Sequence, residues 1–330
     1  MITIHTKPED LLRLRFAYSP LLQASLSYEL LIRRPGDVLD GGMRPWVKEA
    51  ESALRNVDLP YFKAVVLPRH YSADFITPTP AGISLHLEDD LLRLRETPDW
   101  LIRKNMLEVI HYSEHSEIRQ QFLDYPRESL ECLIDEVRLY WRRTLAHHWS
   151  NIVSVLEGDV LYHARMMALH GPESLLNQLT PRLTYQAGVL EIDKDHTPPQ
   201  IDLNGNGLQL VPTIFKRGGV SWQINEDWHP MMIYGSRGAG LWHQAVESAD
   251  PVDESLWVVL GESRTRILVA LMTPTTPGEL ASRLNFTPGA ISQHLAKLNQ
   301  AGLVESQRSG NRIFYSRSQR GEQLLTLFAE

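Results

Sequence analysis

Residues 287–304, TPGAISQHLAKLNQAGLV, predict a short amphipathic helix with well-defined ends. Thr287 followed by Pro288 is a start signal, because threonine caps a helix and proline fits its first turn. Gly302 is the expected stop, since glycine adopts the left-handed conformation that often ends a helix. The side chains that this helix turns inward have the spacing i, i+4, i+7 and are Ile291, Leu295 and Leu298.

The opposite face of the same helix is polar. At about 100° per residue, Gly289, Gln293 and Lys297 point away from the apolar stripe, with Ser292 on the flank. Glutamine can hydrogen-bond an adenine edge, serine can contact a base or a phosphate, and lysine neutralises phosphate. This face is typical of a helix that lies in the major groove of DNA.

The neighbouring segments extend this interpretation. Residues 276–279, TPGE, form a capping box that starts a preceding helix, in which Leu280 and Leu284 share one face. After the quoted stretch, LVESQR and RIFYSR are strand-like and are joined by SGN, with Arg308 and Arg312 beside the tip. A helix pair followed by a basic hairpin is a winged helix-turn-helix.

We therefore predict a DNA-binding surface in this segment. The start of the quoted helix is itself an anion site, and the arginines would neutralise phosphates. The predicted contact residues are Arg264, Thr287, Gly289, Ser292, Gln293, His294, Lys297, Arg308, Asn311 and Arg312.

The charge distribution separates this segment from the rest of the chain. From Ser255 onward there are eight Lys or Arg and five acidic residues, about +3, whereas the preceding residues carry 25 and 35, about −10. The net charge of −7 over 330 residues hides this split, which suggests a local nucleic-acid surface. The Ser-, Asp- and Pro-containing stretch at 247–255 is a candidate junction. We assign 248–330 to the winged helix and 1–247 to a sensing or dimerisation domain.

The N-terminal domain is predicted to be helical over 1–182 and β-rich over 183–247, so the fold class is α+β. The clearest helical runs are 11–31, 43–55, 100–117 and 126–169. GVLEID and LQLVPTIF resemble strands, and NGNG at 204–207 between them is a hairpin-turn signal.

The stretch from LGESRTRILVALM to RSGNRIFYSRSQRGEQLL resembles the winged helix of ArsR-type bacterial transcription regulators. The resemblance implies a homodimer that binds operator DNA, usually as a repressor that a ligand releases. Metal-sensing members have a cysteine-rich helix where this chain has GELASRL, so a thiolate metal site there is not expected. SPLL, YWRRTLAHHW and LQLVPTIF more faintly resemble an uncharacterised domain fused in front of such winged helices, which implies no particular ligand.

Several other classes are disfavoured. Cys132 is the single cysteine, so one chain can form neither a disulfide nor a thiolate metal cage. The sequence shows no secretory leader and no apolar run near 20 residues, so a cytoplasmic protein without a membrane partner is expected. We predict no enzyme. The alternative is a zinc hydrolase that uses His111-x-x-Glu114-His115, an H-x-x-E-H pattern, with the winged helix as a docking module.

The segment YWRRTLAHHW, residues 140–149, is the candidate for an effector site. Trp141, Leu145, His148, Ile152 and Val155 keep the spacing of one continuous helical stripe. A histidine on such a stripe more often serves the core than a ligand. No cofactor and no resident metal are predicted, although a histidine-only metal site stays open. The residues proposed to contact a small effector are Trp141, Arg142, His148 and Trp149.

Overall fold

The computed structural model describes residues 2–33, 43–67, 72–114, 116–192, 201–216, 219–239, 254–271, 274–284, 286–309 and 312–327. Helices dominate the first half of the chain, small sheets follow, and a winged helix ends it, which confirms the predicted α+β class. Within these ranges, none of the helices combines the length and the apolar character needed to cross a bilayer.

The helical body packs around one large apolar core. Trp46, Phe62 and Tyr140 are fully buried, and Tyr28 stacks on Phe62 with ring centroids 4.2 Å apart. Burial of such large rings supplies most of the stabilisation of a core of this kind. The helices are α1 (Pro8–Leu12), α2 (Pro20–Leu31), α3 (Arg44–Ala53), α4 (Pro60–Val65), α5 (Leu87–Arg95), α6 (Asp99–His111), α7 (Glu117–Asp124), α8 (Pro126–Thr144) and α9 (Trp149–Leu179), with short 3-10 helices at Asp74–Ile76 and Ala146–His148.

Two four-stranded sheets lie beside the helices. Their orders are β3-β4-β1-β5 and β2-β6-β8-β7, so each sheet contains one strand from the beginning of the chain. The β-rich segment is therefore completed by N-terminal residues that were predicted to belong to the helical part. The strands are β1 (Ile2–His5), β2 (Arg15–Phe16), β3 (Leu183–Gln186), β4 (Val189–Ile192), β5 (Ile201–Asp202), β6 (Gln209–Thr213), β7 (Val220–Asn225) and β8 (Trp228–Gly235).

The predicted helix over 11–31 is wrong in its first half. The chain leaves α1 after Leu12, and Arg15 and Phe16 pair in parallel with β6. Helix α2 starts at Pro20, and the Ser19 Oγ accepts a hydrogen bond from the backbone N–H of Leu22 at 3.1 Å. A serine cap followed by proline is a strong start signal, and it overrides the apolar periodicity that runs through it.

The predicted turn at 204–207 exists, but it does not join a hairpin. Asn204, Gly205 and Gly207 all have positive φ, between 55° and 81°. Strand β5 before the turn belongs to the first sheet and β6 after it to the second, so the turn carries the chain between sheets. The conformation was predictable from the residues, whereas the strand partners were not.

The predicted continuous helix over 126–169 is also wrong, because it is broken near its middle. Helix α8 ends at Thr144, Leu145 has φ −125° and ψ −28°, and the short 3-10 helix of residues 146–148 leads into α9. Trp141, Leu145, Ile152 and Val155 are nevertheless buried, so the apolar stripe persists across the break. Helix α9 is broken in turn at Gly171, whose φ is 80°.

A buried carboxylate connects α9 to the second sheet. Asp159 is fully buried and accepts hydrogen bonds from the Tyr234 hydroxyl at 2.6 Å and the backbone N–H of Arg237 at 2.8 Å. The Nδ1 atom of His163, one helical turn away, lies 3.1 Å from the same carboxylate. Burial, reinforced by the charge of Asp159, raises the pKa of Tyr234, so its hydroxyl keeps its proton and donates.

The C-terminal segment has an apolar core of its own. Ile267, Leu280, Ile291, Leu295 and Leu298 are at its centre and are almost fully buried. The predicted helix pair and wing are thereby confirmed. The elements are α10 (Glu254–Leu260), α11 (Glu262–Ala270), α12 (Pro277–Leu284), α13 (Pro288–Gln300), β9 (Val304–Ser309), β10 (Arg312–Arg317) and α14 (Gln319–Leu327).

Candidate nucleic-acid interface

The ends of α13 are set by the residues predicted to cap it. Thr287 Oγ1 accepts a hydrogen bond from the backbone N–H of Ala290 at 3.3 Å, and Pro288 is the first helical residue. Gly302, with φ 69°, ends the helix. These local interactions fix where the helix starts, and therefore which side chains face outward.

The two faces of α13 separate cleanly. Ile291, Leu295 and Leu298 are at most 1% exposed, because they form the centre of the domain core. The residues on the other side, predicted to face DNA, are exposed: Thr287, Gly289, Ser292, Gln293 and Lys297. Their role in DNA contact stays a prediction, but their position is the one that such contact requires.

His294 differs from the other predicted contacts on this helix. Its ring is half-buried and lies 5.9 Å from the Phe286 ring, and its Nδ1 has no hydrogen-bond partner among the described residues. Burial lowers its pKa, and the positive charges of Arg264 and Lys297 lower it further. His294 thus belongs to the edge of the domain core as much as to the outer face.

Helix α12 begins with the predicted capping box. The backbone N–H of Thr276 donates to the Glu279 carboxylate at 2.9 Å, and the backbone N–H of Glu279 donates to Thr276 Oγ1 at 3.4 Å. Two unpaired N–H groups at the helix start are satisfied in this way.

The wing presents its two arginines on opposite faces. In the antiparallel register Arg312 lies opposite Ser309, and Ile313 lies opposite Arg308. Directly opposed residues point to the same side of a sheet and successive residues alternate, so Arg308 and Arg312 point in opposite directions. Asn311, the remaining predicted contact of the wing, lies outside the described residues.

Two other arginines of the basic segment are structural. Arg317 donates to the carbonyls of Leu268, at 2.7 Å, and Val269, and Arg283 donates to the carbonyl of Ala270 at 2.9 Å. They satisfy carbonyls at the end of α11, and burial lowers the pKa of both guanidinium groups. The eight cations of this segment therefore overstate the charge that the domain offers to a ligand.

The winged helix contacts α9 of the body through polar side chains. Arg312 Nη1 lies 3.2 Å from Glu157 Oε2, and Arg165 Nη1 lies 2.8 Å from Glu305 Oε2. A third contact, from Ser154 Oγ to Glu279 Oε1, measures 2.5 Å. None of the three partners on α9 was predicted, since ion pairs between distant segments leave no local pattern in a sequence.

The backbones also approach closely at this contact. A Cβ atom added at Gly158 would lie 2.7 Å from the carbonyl oxygen of Pro274, a distance that side chains essentially never adopt. Gly158 lies on α9 between the ion pairs, so glycine permits the loop before α12 to reach the helix. Burial raises the pKa of the Glu157 carboxyl, whereas the charge of Arg312 acts to lower it.

The residues predicted for the effector lie in different surroundings. Trp141 is buried against Trp149, with ring centroids 5.1 Å apart, and Trp149 Nε1 donates to the carbonyl of Leu85 at 2.8 Å. Arg142 is exposed on α8, and His148 approaches Glu49 with its Nε2 3.2 Å from the carboxylate. Their role as effector contacts stays a prediction.

A cavity of about 460 Å³ lies elsewhere in the body, between α2 and the second sheet. Arg33 and Lys216 line it together with the buried Gln223, whose Nε2 has no hydrogen-bond partner among the described residues. These residues come from segments far apart in the sequence, so no sequence pattern predicted the cavity.

The H-x-x-E-H pattern does not form on a helix. His111 is the last residue of α6 and is exposed, and Glu114 lies beyond the helix end. His115 lies outside the described residues. On a continuous helix the two histidines would lie one turn apart, whereas α6 ends at His111. The zinc-hydrolase alternative stays a prediction.

The matches with known proteins fall in the C-terminal segment. Residues 261–306 match the family model described as bacterial regulatory protein, arsR family. The transcriptional activator HlyU of Vibrio cholerae is 39% identical over 64 residues, which are 19% of this chain and 59% of that protein. The HTH-type transcriptional regulator YgaV of Escherichia coli is 42% identical over 55 residues, 16% of this chain and 56% of that protein.

A solved structure of reduced HlyU from Vibrio cholerae also matches, with 33% identity, 22% coverage of this chain, 86% coverage of that chain and a TM-score of 0.20. This chain thus spans less than two thirds of the length of the curated relatives it matches, and those matches lie within its winged helix.

Proposed function

We propose, from the premise that residues 261–306 form an ArsR-family helix-turn-helix domain, that this chain is a DNA-binding transcriptional regulator. The observation that carries the proposal is the two-sided character of α13. Its apolar face is buried in the domain core, and its opposite face exposes Gln293 and Lys297. A helix of this kind reads base edges when it enters the major groove.

The proposed contacts differ in what they contribute. Gln293 would hydrogen-bond a base edge and so contribute sequence preference. Lys297 and Arg308 would neutralise phosphates and so contribute affinity without preference. The backbone N–H groups near Thr287 and Gly289 would contact phosphate at the helix start. DNA of this sort is the proposed partner, and the proposed place of action is the bacterial cytoplasm.

We also propose a homodimer with two reading helices. Val258 and Val259 on α10 are 86% and 62% exposed, and Leu327 on α14 is 78% exposed. A second copy of the chain that covers these side chains would remove apolar surface from water. Two copies of α13 would then contact half-sites about one duplex turn apart, which footprinting measures directly.

The contact between α9 and the wing supports a regulatory role for the body. Glu157 holds Arg312, a residue that the sequence predicts to contact phosphate. An effector that moved α9 would release this arginine, so the role we propose for the body is binding of an effector and not catalysis. Repression remains a prediction, and one relative is named as an activator. Transcription in vitro from the operator-bearing promoter, with and without the protein, decides the direction.

Substitutions on α13 test the proposed reading face. We expect Lys297→Ala to weaken binding to all DNA sequences alike and to reduce the slope of log affinity against log salt by about 1, because one phosphate is no longer neutralised. Gln293→Ala should instead cost about 1–3 kcal/mol at one base pair and relax the preference there. Fluorescence anisotropy with operator and scrambled duplexes at several salt concentrations measures both effects.

Lys63→Ala, an exposed lysine on α4, is the control and should leave affinity and salt slope unchanged. If neither α13 variant differs from this control, the reading helix has been assigned to the wrong element.

A substitution on α9 tests the restraint on the wing. Glu157→Gln removes the charge that holds Arg312, so we expect operator affinity to rise roughly three- to tenfold at about 0.1 M salt, because the freed arginine can neutralise one more phosphate. Glu173→Gln removes the same charge from α9 beyond Gly171 and controls for the change in net charge. An affinity for Glu157→Gln that equals or falls below that of the control would contradict the restraint.

A further inference from the structure

Glu49, His147 and His148 meet at the junction between α3 and the start of α9. His147 Nε2 lies 2.7 Å from Glu49 Oε1, and His148 Nε2 lies 3.2 Å from both carboxylate oxygens. One ligand atom from each residue can be chosen so that all three lie within 4.8 Å of one another. We propose that these three side chains bind a divalent transition-metal ion of the zinc type.

The ligand chemistry favours such an ion. Imidazole nitrogen and carboxylate oxygen both bind zinc, and imidazole also suits copper and nickel. Two histidines and one glutamate leave a fourth tetrahedral position for water or an exchangeable ligand. This ligand set contains no thiolate, in agreement with the single cysteine of the chain, and it differs from the H-x-x-E-H pattern at the end of α6.

The spacing fits with little rearrangement. Zinc bonds of about 2.0–2.2 Å hold tetrahedral ligand atoms about 3.3–3.5 Å apart. The contacts of His148 with Glu49, at 3.2 Å, are already close to this separation. The contact of His147 with Glu49, at 2.7 Å, would open by roughly 0.6–0.8 Å to reach the tetrahedral separation, which rotation of two exposed side chains can provide.

The backbone on either side of the cluster is held in place. Trp46, one turn before Glu49 on α3, is fully buried and donates its Nε1–H to the carbonyl of Thr144 at 3.1 Å. The backbone N–H of His148 donates to the carbonyl of Leu145, and Leu145 is itself fully buried. The ligands therefore project from fixed elements, which is the condition for a preorganised site.

An ion can enter from solvent and would then join the two elements. The side chains of His147 and Glu49 are 50% and 41% exposed, whereas that of His148 is 16% exposed. Because His148 directly precedes α9, an ion there would bind at the base of the helix that contacts the winged helix. The metal site itself does not depend on the proposed function.

Metal titration of the full chain, without an affinity tag and after removal of bound metal by a chelator, tests the proposal. We expect Zn²⁺ to bind with one ion per chain in calorimetry and to raise the melting temperature, since it binds the folded state. Co²⁺ should give the visible absorption of a tetrahedral complex. His147→Gln with His148→Gln should weaken binding by more than about 100-fold, because even outer partners of metal ligands cost 10–100-fold.

Three further variants test the third ligand and control for binding at other histidines. Glu49→Gln keeps the shape of the side chain and should lose the Co²⁺ spectrum while the chain stays folded by circular dichroism. His170→Gln and His111→Gln alter exposed histidines elsewhere and should bind as the parent does. Absence of Zn²⁺ binding, or binding that is lost with His111 and kept in the double variant, would overturn the proposal.

Discussion

Leu295→Ala is expected to destabilise the winged helix by about 2–5 kcal/mol and to abolish operator binding, while the helical body stays folded. Leu295 is fully buried at the middle of the apolar face of α13, between Ile291 and Leu298. Its truncation leaves a cavity at the point where α13 packs on the rest of the domain. A domain with so small a core has a small free energy of unfolding. A loss of this size therefore leaves the winged helix unfolded in most molecules.

Circular dichroism with temperature and limited proteolysis measure this effect. The variant should lack the part of the thermal transition that unfolding of the winged helix contributes. It should become sensitive to protease in the C-terminal segment only. Gln293→Ala, on the exposed face of the same helix, is the matched control and should unfold as the parent does. A Leu295→Ala protein with parental stability and affinity would show that α13 does not pack as described.

Asp159→Ala is expected to destabilise the body by about 3–5 kcal/mol. The substitution leaves the buried Tyr234 hydroxyl and the partly buried Arg237 N–H without the carboxylate that accepts from both, and a buried donor left unpaired costs about 1–3 kcal/mol. The space of the lost carboxylate adds a cavity penalty next to His163.

Urea denaturation followed by tryptophan fluorescence gives the free energy of unfolding for this comparison. Asp159→Asn keeps the size and one acceptor oxygen, so it should fall between the parent and the alanine variant. Asp135→Ala is the surface control: its partner Arg138 is shared with Glu88, and an exposed pair of this kind contributes at most about 1 kcal/mol. Equal losses for Asp159→Ala and Asp135→Ala would contradict the role assigned to the buried carboxylate.

The winged helix was predictable because its signals are local. The caps at Thr276 and Thr287, the stop at Gly302 and the stripe of α13 each depend on residues within two turns of one another. Local hydrogen bonds and apolar periodicity specify such elements without reference to distant contacts. The surfaces that these elements expose followed directly, which is why the polar face of α13 lies where the sequence placed it.

The arrangement of the body was not predictable in the same way. Strand β2 is two residues long and pairs with a strand nearly 200 residues away, so no periodicity could reveal it. A charge count could not separate Arg317, which caps buried carbonyls, from Arg308, which is exposed. Glu49 lies 98 residues before His147, and only the packing of α3 on α8 brings the two together.

The uninterrupted first part of α9 can transmit a small tilt at one end as a larger displacement at the other. From Trp149 to Arg165 the helix rises by about 24 Å at 1.5 Å per residue. A tilt of about 5° at the Trp149 end would displace the far end by about 2 Å, by simple geometry on that length. Such a displacement exceeds the tolerance of the 2.8 Å pair between Arg165 and Glu305. A slight reorientation of α9 at Trp149 would thus be enough to break its ion pair with the winged helix at Arg165.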